Sequence, residues 1–135
     1  MIYKFIVFFF FGYFFHFYSF GQTDLDSLKH AIDLLENDSV KIKTLIQLSR
    51  QIHRENANDE DDFLYAQRAA DLAESYGDIL LWAESLDNLG LLHRYHSRYA
   101  QAIPLHQHAL DLINEKKVAP YYKMRFANNL AVAAR

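Results

Sequence analysis

Apolar positions recur at helical spacing through almost all of the chain beyond Gln22. The clearest stretch is 83–115, AESLDNLGLLHRYHSRYAQAIPLHQHALDLINE, which reads as two amphipathic helices joined by a polar turn at Tyr95, His96, Ser97 and Arg98. Upstream, Asp24, Asp26 and Ser27 offer capping side chains to a lead-in helix within 22–37, whose Leu28, Ala31, Ile32, Leu34 and Leu35 share a face. Asp38 or Ser39 restarts the chain by the same capping logic, and Val40, Ile42, Leu45, Ile46, Leu48 and Ile52 form the next stripe. The acidic run Asp59, Glu60, Asp61, Asp62 precedes a helix over 63–76. It reads as a solvated start that complements the helix dipole, because a calcium loop needs alternating ligands and a glycine at its sharp turn. Gly77 is placed to end that helix in a left-handed cap, and a loop over 116–120 leads to a last helix over 121–135.

The first residues follow another rule. Lys4 is followed by an apolar run over 5–15 and then by a more polar end, the three parts of a secretory leader. Ser19 and Gly21 place small side chains before a cut between Gly21 and Gln22, so a signal peptide over 1–21 and a protein exported across the cytoplasmic membrane, periplasmic or secreted, are expected. An uncleaved anchor holding the chain on the membrane is the alternative, since 5–20 carries no formal charge but is just short of a usual span.

Composition adds mainly exclusions. Most of the phenylalanine lies in the leader, and the remainder is rich in alanine and leucine, which favours helix. A formal charge of -3, diffusely spread, gives no basic field for nucleic acid. Without cysteine there is neither a disulfide nor a thiolate metal site.

The helices repeat. Gln67, Ala69, Asp71 and Leu72 recur as Gln107, Ala109, Asp111 and Leu112 at an offset of 40, while Leu48, Leu89 and Leu130 recur at 41. Two markers on different helices with nearly one period define a helix pair as the unit. Leu86-x2-Leu89-Gly90-x2-His93, then Tyr99, Ala102-x3-His106 and Ala109, resemble the tetratricopeptide repeat family, with small Gly90, Ala102 and Ala109 where paired helices approach closely. The pitch is similar to the longer repeats of kinesin light chains and of maltose-regulator-like regions in bacterial sensors and regulators. Leu86, His93, His106 and Asn114 depart from the family's usual Trp, Tyr, Phe and Pro. The resemblance covers 38–135 and implies an all-α, short right-handed α-solenoid of antiparallel helix hairpins: 38–78, 79–119 and a half repeat over 120–135.

In such a solenoid the first helix of each pair lines a concave groove that binds a peptide or protein. The resemblance then places Lys43, Ile46, Gln47 and Arg50 in the groove from the first repeat. From the second come Glu84, Asp87, Asn88, Leu91, Arg94 and Tyr95, and from the third Arg125, Asn128, Asn129 and Val132. Asn88 and Asn129 lead this set, because a side-chain amide can donate to and accept from a peptide backbone at once. Asp87 and Leu91 stand where the chaperone-tail carboxylate clamp would need other residues, which disfavours that ligand. No cofactor and no metal are expected. The densest histidine group, His93, His96 and His106 with His108 nearby, is the one place where zinc would be considered, and no Asp or Glu obviously completes it. With no phosphate loop, cysteine nucleophile, H-E-x-x-H or serine-based triad, catalysis is not expected. The expected function is therefore an exported scaffold for protein–protein interaction. The alternative is the amino-terminal sensory part of a longer signalling protein, a histidine kinase or transcription regulator, because a leader followed by degenerate repeats suits such sensors by resemblance and the last helix has no partner. Separately, the unpaired apolar face of that helix would favour self-association.

Overall fold

Local capping explains several of the helix boundaries. The computed structural model describes residues 25–135; the expected leader and the cut between Gly21 and Gln22 lie outside the described residues. Helix α1 spans Leu25–Asp33, α2 Ser39–Glu55, α3 Asp61–Tyr76, α4 Ile79–Tyr95, α5 Tyr99–Asn114 and α6 Pro120–Ala133. Asp38 opens α2 by accepting from the backbone N–H groups of Val40 at 2.8 Å and Lys41 at 3.1 Å. Asp78 does the same for α4, accepting from Leu81 N–H at 3.0 Å. Gly77 closes α3 at φ 87°, a left-handed conformation that glycine adopts without a Cβ penalty. The turn expected at 95–98 is present. Ser97 takes φ 59°, and Arg98 N–H reaches back to the His93 carbonyl at 2.8 Å.

Among the described residues the fold is all-α, with no strand, and no helix is long and apolar enough to cross a membrane. Each helix packs on the next in sequence. In addition α2 touches α4 and α4 touches α6, whereas the backbones of α3 and α5 do not approach each other. Helices α2, α4 and α6 therefore stand side by side, with α3 and α5 behind them. Ile32, Ile42, Leu45, Leu48 and Ile52 fill one end of the core, and Leu86, Ile113 and Phe126 fill the other. Between the layers the buried residues are small, with Ala66, Ala69, Ala73, Ala83, Ala102 and Ala109 fully buried. Side chains of that size let helix axes come close, and the larger neighbours fill the space beside them.

The expected lead-in stripe is corrected in part. Ile32 is buried, but Leu34 and Leu35 fall beyond the end of α1 and are exposed. Val40 is also exposed: at 100° per residue it lies about 160° around α2 from Ile42, on the outer side. The sequence repeat has an exact structural counterpart in side-chain bonding. Gln67 donates to Asp71 at 2.8 Å on α3, and Gln107 donates to Asp111 at 2.8 Å on α5.

Candidate ligand-binding face

The face shared by α2, α4 and α6 holds two adjoining depressions. One, of about 530 Å³, is bordered by Lys43, Ile46, Gln47, Arg50, Glu84 and Arg125. The other, of about 400 Å³, is bordered by Arg50, Asn88, Leu91, Arg94, Tyr95, Arg125 and Asn129. Arg50 and Arg125 belong to both. Most of the residues expected in the groove are therefore brought together. Asn128 and Val132 are exposed but border neither depression.

The two asparagines are corrected in their role. Asn88 is fully buried, its amide nitrogen donating to Ser49 Oγ at 3.0 Å and its oxygen accepting from Arg50 Nε at 2.6 Å. Asn129 is also buried and donates to both carboxyl oxygens of Asp87 at 3.0 Å. Each asparagine thus reaches back to the preceding first helix, and its amide nitrogen donates inside the protein rather than to a peptide. Asp87 is corrected in the same way. It is fully buried below the groove, where His106 Nδ1 lies 2.8 Å from Oδ1 and Arg125 Nε lies 3.6 Å from Oδ2. The last distance is an ion pair and is too long for a hydrogen bond.

The walls carry the charge. Arg125 approaches Glu84 at 3.3 Å and lies over the rings of Tyr121, Tyr122 and Phe126. Burial works against its charge, but the Tyr121 hydroxyl and the Asp87 and Glu84 carboxyl groups outweigh that and raise its pKa. Arg50 is shifted the other way, first by burial and then by repulsion from Arg125. Arg50, Arg54 and Arg94 make no ion pair with a carboxyl group among the described residues. Sequence reasoning passed over His53, Arg54 and Tyr121, which also border the smaller depression. Helical spacing could have found them, since His53 and Arg54 lie three and four residues beyond Arg50, and Tyr121 lies four before Arg125.

The histidine group of 93, 96 and 106 is not assembled. His106 is buried against Asp87, and its ring fills the space that Gly90 leaves: a Cβ there would lie 2.8 Å from His106 Cε1. His93 packs against Phe63, with ring centroids 4.8 Å apart. His96 turns instead to Asp62, 2.9 Å away, which His53 also contacts at 3.0 Å. Asp62 is fully buried, so the acidic run is not wholly a solvated helix start. Its Oδ1 accepts from Phe63 N–H at 2.7 Å, and the Phe63 and His96 rings pack together with centroids 4.6 Å apart.

Compared with known proteins, the chain matches no protein-family model and no curated protein sequence.

Proposed function

We propose that this chain is a tetratricopeptide-like helical-repeat scaffold, a short α-solenoid, that binds an acidic peptide or protein segment along the face formed by α2, α4 and α6. The observation that carries the reading is the composition of that face: Arg50, Arg54, Arg94 and Arg125 converge on one depression in a chain whose formal charge is -3. Three of these guanidinium groups lack a carboxyl partner among the described residues, and a planar guanidinium is suited to holding a carboxylate through two parallel hydrogen bonds. Tyr95 and Tyr121, both half exposed beside them, supply flat apolar area at low entropic cost. The pattern of 1–21 supports export of the scaffold, and its role is recognition rather than catalysis.

The test is a fluorescence-anisotropy titration with a labelled Asp/Glu-rich peptide and a Lys/Arg-rich peptide of equal length. The acidic peptide is expected to bind, and more weakly as salt is raised, because exposed charges are screened over about 8 Å at physiological ionic strength. Combining Arg50→Ala with Arg94→Ala is expected to weaken binding about tenfold or more, since a hydrogen bond to a charged group contributes roughly 1.5–3 kcal/mol. Equal affinity for both peptides, or affinity unchanged in the double variant, would reject the assignment.

A further inference from the structure

Beside the face formed by α2, α4 and α6, three segments bring two imidazoles and a carboxyl group to one point, two of them flanking the α2–α3 link and the third more than thirty residues further on. His53 comes from the last turn of α2, Asp62 from the first turn of α3, and His96 from the turn after α4. His53 Nδ1 lies 3.0 Å and His96 Nε2 lies 2.9 Å from the same atom, Asp62 Oδ2, and the three donor atoms all lie within 4.8 Å of one another. The side chains are enclosed, with exposures of 18% for His53, 13% for His96 and 0% for Asp62. Their orientations are also set. Asp62 Oδ1 is occupied by Phe63 N–H, which leaves Oδ2 for the imidazoles. The His53 ring stacks on Tyr95 at 5.1 Å and 19°, and the His96 ring packs on Phe63 at 4.6 Å.

We infer that His53, Asp62 and His96 form a binding site for zinc(II), with two nitrogens and one oxygen as protein ligands and a fourth position left to water or another small ligand. Bonds of about 2.0–2.1 Å in tetrahedral geometry separate the ligand atoms by about 3.3 Å. The two nitrogen–oxygen spacings therefore need to open by only a few tenths of an ångström, while the two ring nitrogens, within 4.8 Å of one another, close by up to about 1.5 Å through small rotations of the imidazoles. Two imidazoles with a single carboxylate favour zinc over calcium or magnesium, which prefer all-oxygen sets. On binding, each imidazole carries its proton on the ring nitrogen turned away from Oδ2, a change of tautomer that leaves both rings neutral. Arg98, on the same turn as His96, is paired with Glu60, so its charge is offset beside the site. The bound ion joins the end of α2, the start of α3 and the turn between α4 and α5. This inference does not depend on the peptide-binding reading.

The test uses the untagged chain, stripped with chelator and titrated with zinc chloride by calorimetry at neutral pH, with cobalt(II) as a spectroscopic substitute. The expected results are uptake of one equivalent of zinc, a raised thermal midpoint, and the intense visible absorption of four-coordinate cobalt. Asp62→Asn and His96→Ala should each weaken zinc binding about 100-fold or more, at least the upper end of what loss of an outer-shell partner does. His108→Ala, exposed and away from the cluster, should leave it unchanged. The cobalt spectrum of the unaltered chain stands even where a variant folds poorly, as judged by circular dichroism. Absence of zinc uptake by the unaltered chain, pale six-coordinate cobalt, or full affinity retained in a folded Asp62→Asn chain would overturn the site.

Discussion

Gly90 and His106 are fitted to one another across α4 and α5. A methyl group at position 90 would come within 2.8 Å of Cε1 and 3.0 Å of both ring nitrogens of a side chain that is itself fully buried and held by Asp87. Gly90→Ala is therefore expected to lower stability by about 1–3 kcal/mol, as overpacked cores do, despite alanine's better helix propensity. Urea denaturation checks this, and adding His106→Ala should remove most of the cost of Gly90→Ala in a double-mutant cycle. His93 behaves differently. Burial depresses its pKa below the ordinary 6.5, with Arg98 and His96 adding to the effect and Asp62 opposing it, and its Nδ1 is buried without a partner among the described residues. The unfolded chain consequently takes up this proton more readily than the native one. Stability from this group is complete above 6.5 and falls as the pH drops from there toward the lower native value. Urea midpoints measured above and below that pH should show a decline on acidification that is smaller in His93→Phe; an identical decline would remove His93 as its source.

At the scale of the element, most information was local and legible. Asp38 and Gly77 begin and end helices through groups within a few residues of themselves, so composition and order were enough to locate them, while the structure adds Asp78 as the cap of α4. Asp38→Ala is expected to cost about 1 kcal/mol, because two N–H groups at the start of α2 lose their acceptor. The loss should appear in the urea midpoint with little change in helicity without denaturant. Periodicity also identified the buried side of α2, but it overreached at Val40 and at Leu34 and Leu35. An apolar residue at a helix end counts toward a stripe in sequence even where no neighbouring helix reaches it. The histidines show the opposite limit. His96 was grouped with His93 and His106 because helical spacing places them near one another, yet the left-handed Ser97 ends α4 and turns the chain, leaving His96 against Asp62.

At the scale of the whole molecule, the repeat becomes a surface. An offset of 41 residues places Asn88 and Asn129 at matching points of α4 and α6, and each hydrogen-bonds to the first helix before it. The same stacking gathers Arg50, Arg94 and Arg125 around one depression in a chain of formal charge -3. That grouping could not be found from net charge, which averages over faces; it depends on which side of each helix looks outward.

The sequence by itself determined the helices, their caps and their pairing, because hydrogen bonds within a turn and an apolar stripe along one side are set by residues three or four apart. It also named most of the residues that border the two depressions, since the period of about 41 carries equivalent positions from α2 to α4 and α6. Only the tertiary structure decided which polar side chains are free to meet a ligand and which are consumed in holding the helices together. Asn88, Asn129 and Asp87 are of the second kind, because their partners lie about 20 to 40 residues away, as does one of the partners that draws Asp62 into the core. Most buried polar groups find a hydrogen-bond partner, and where that partner stands is a property of packing rather than of spacing along the chain.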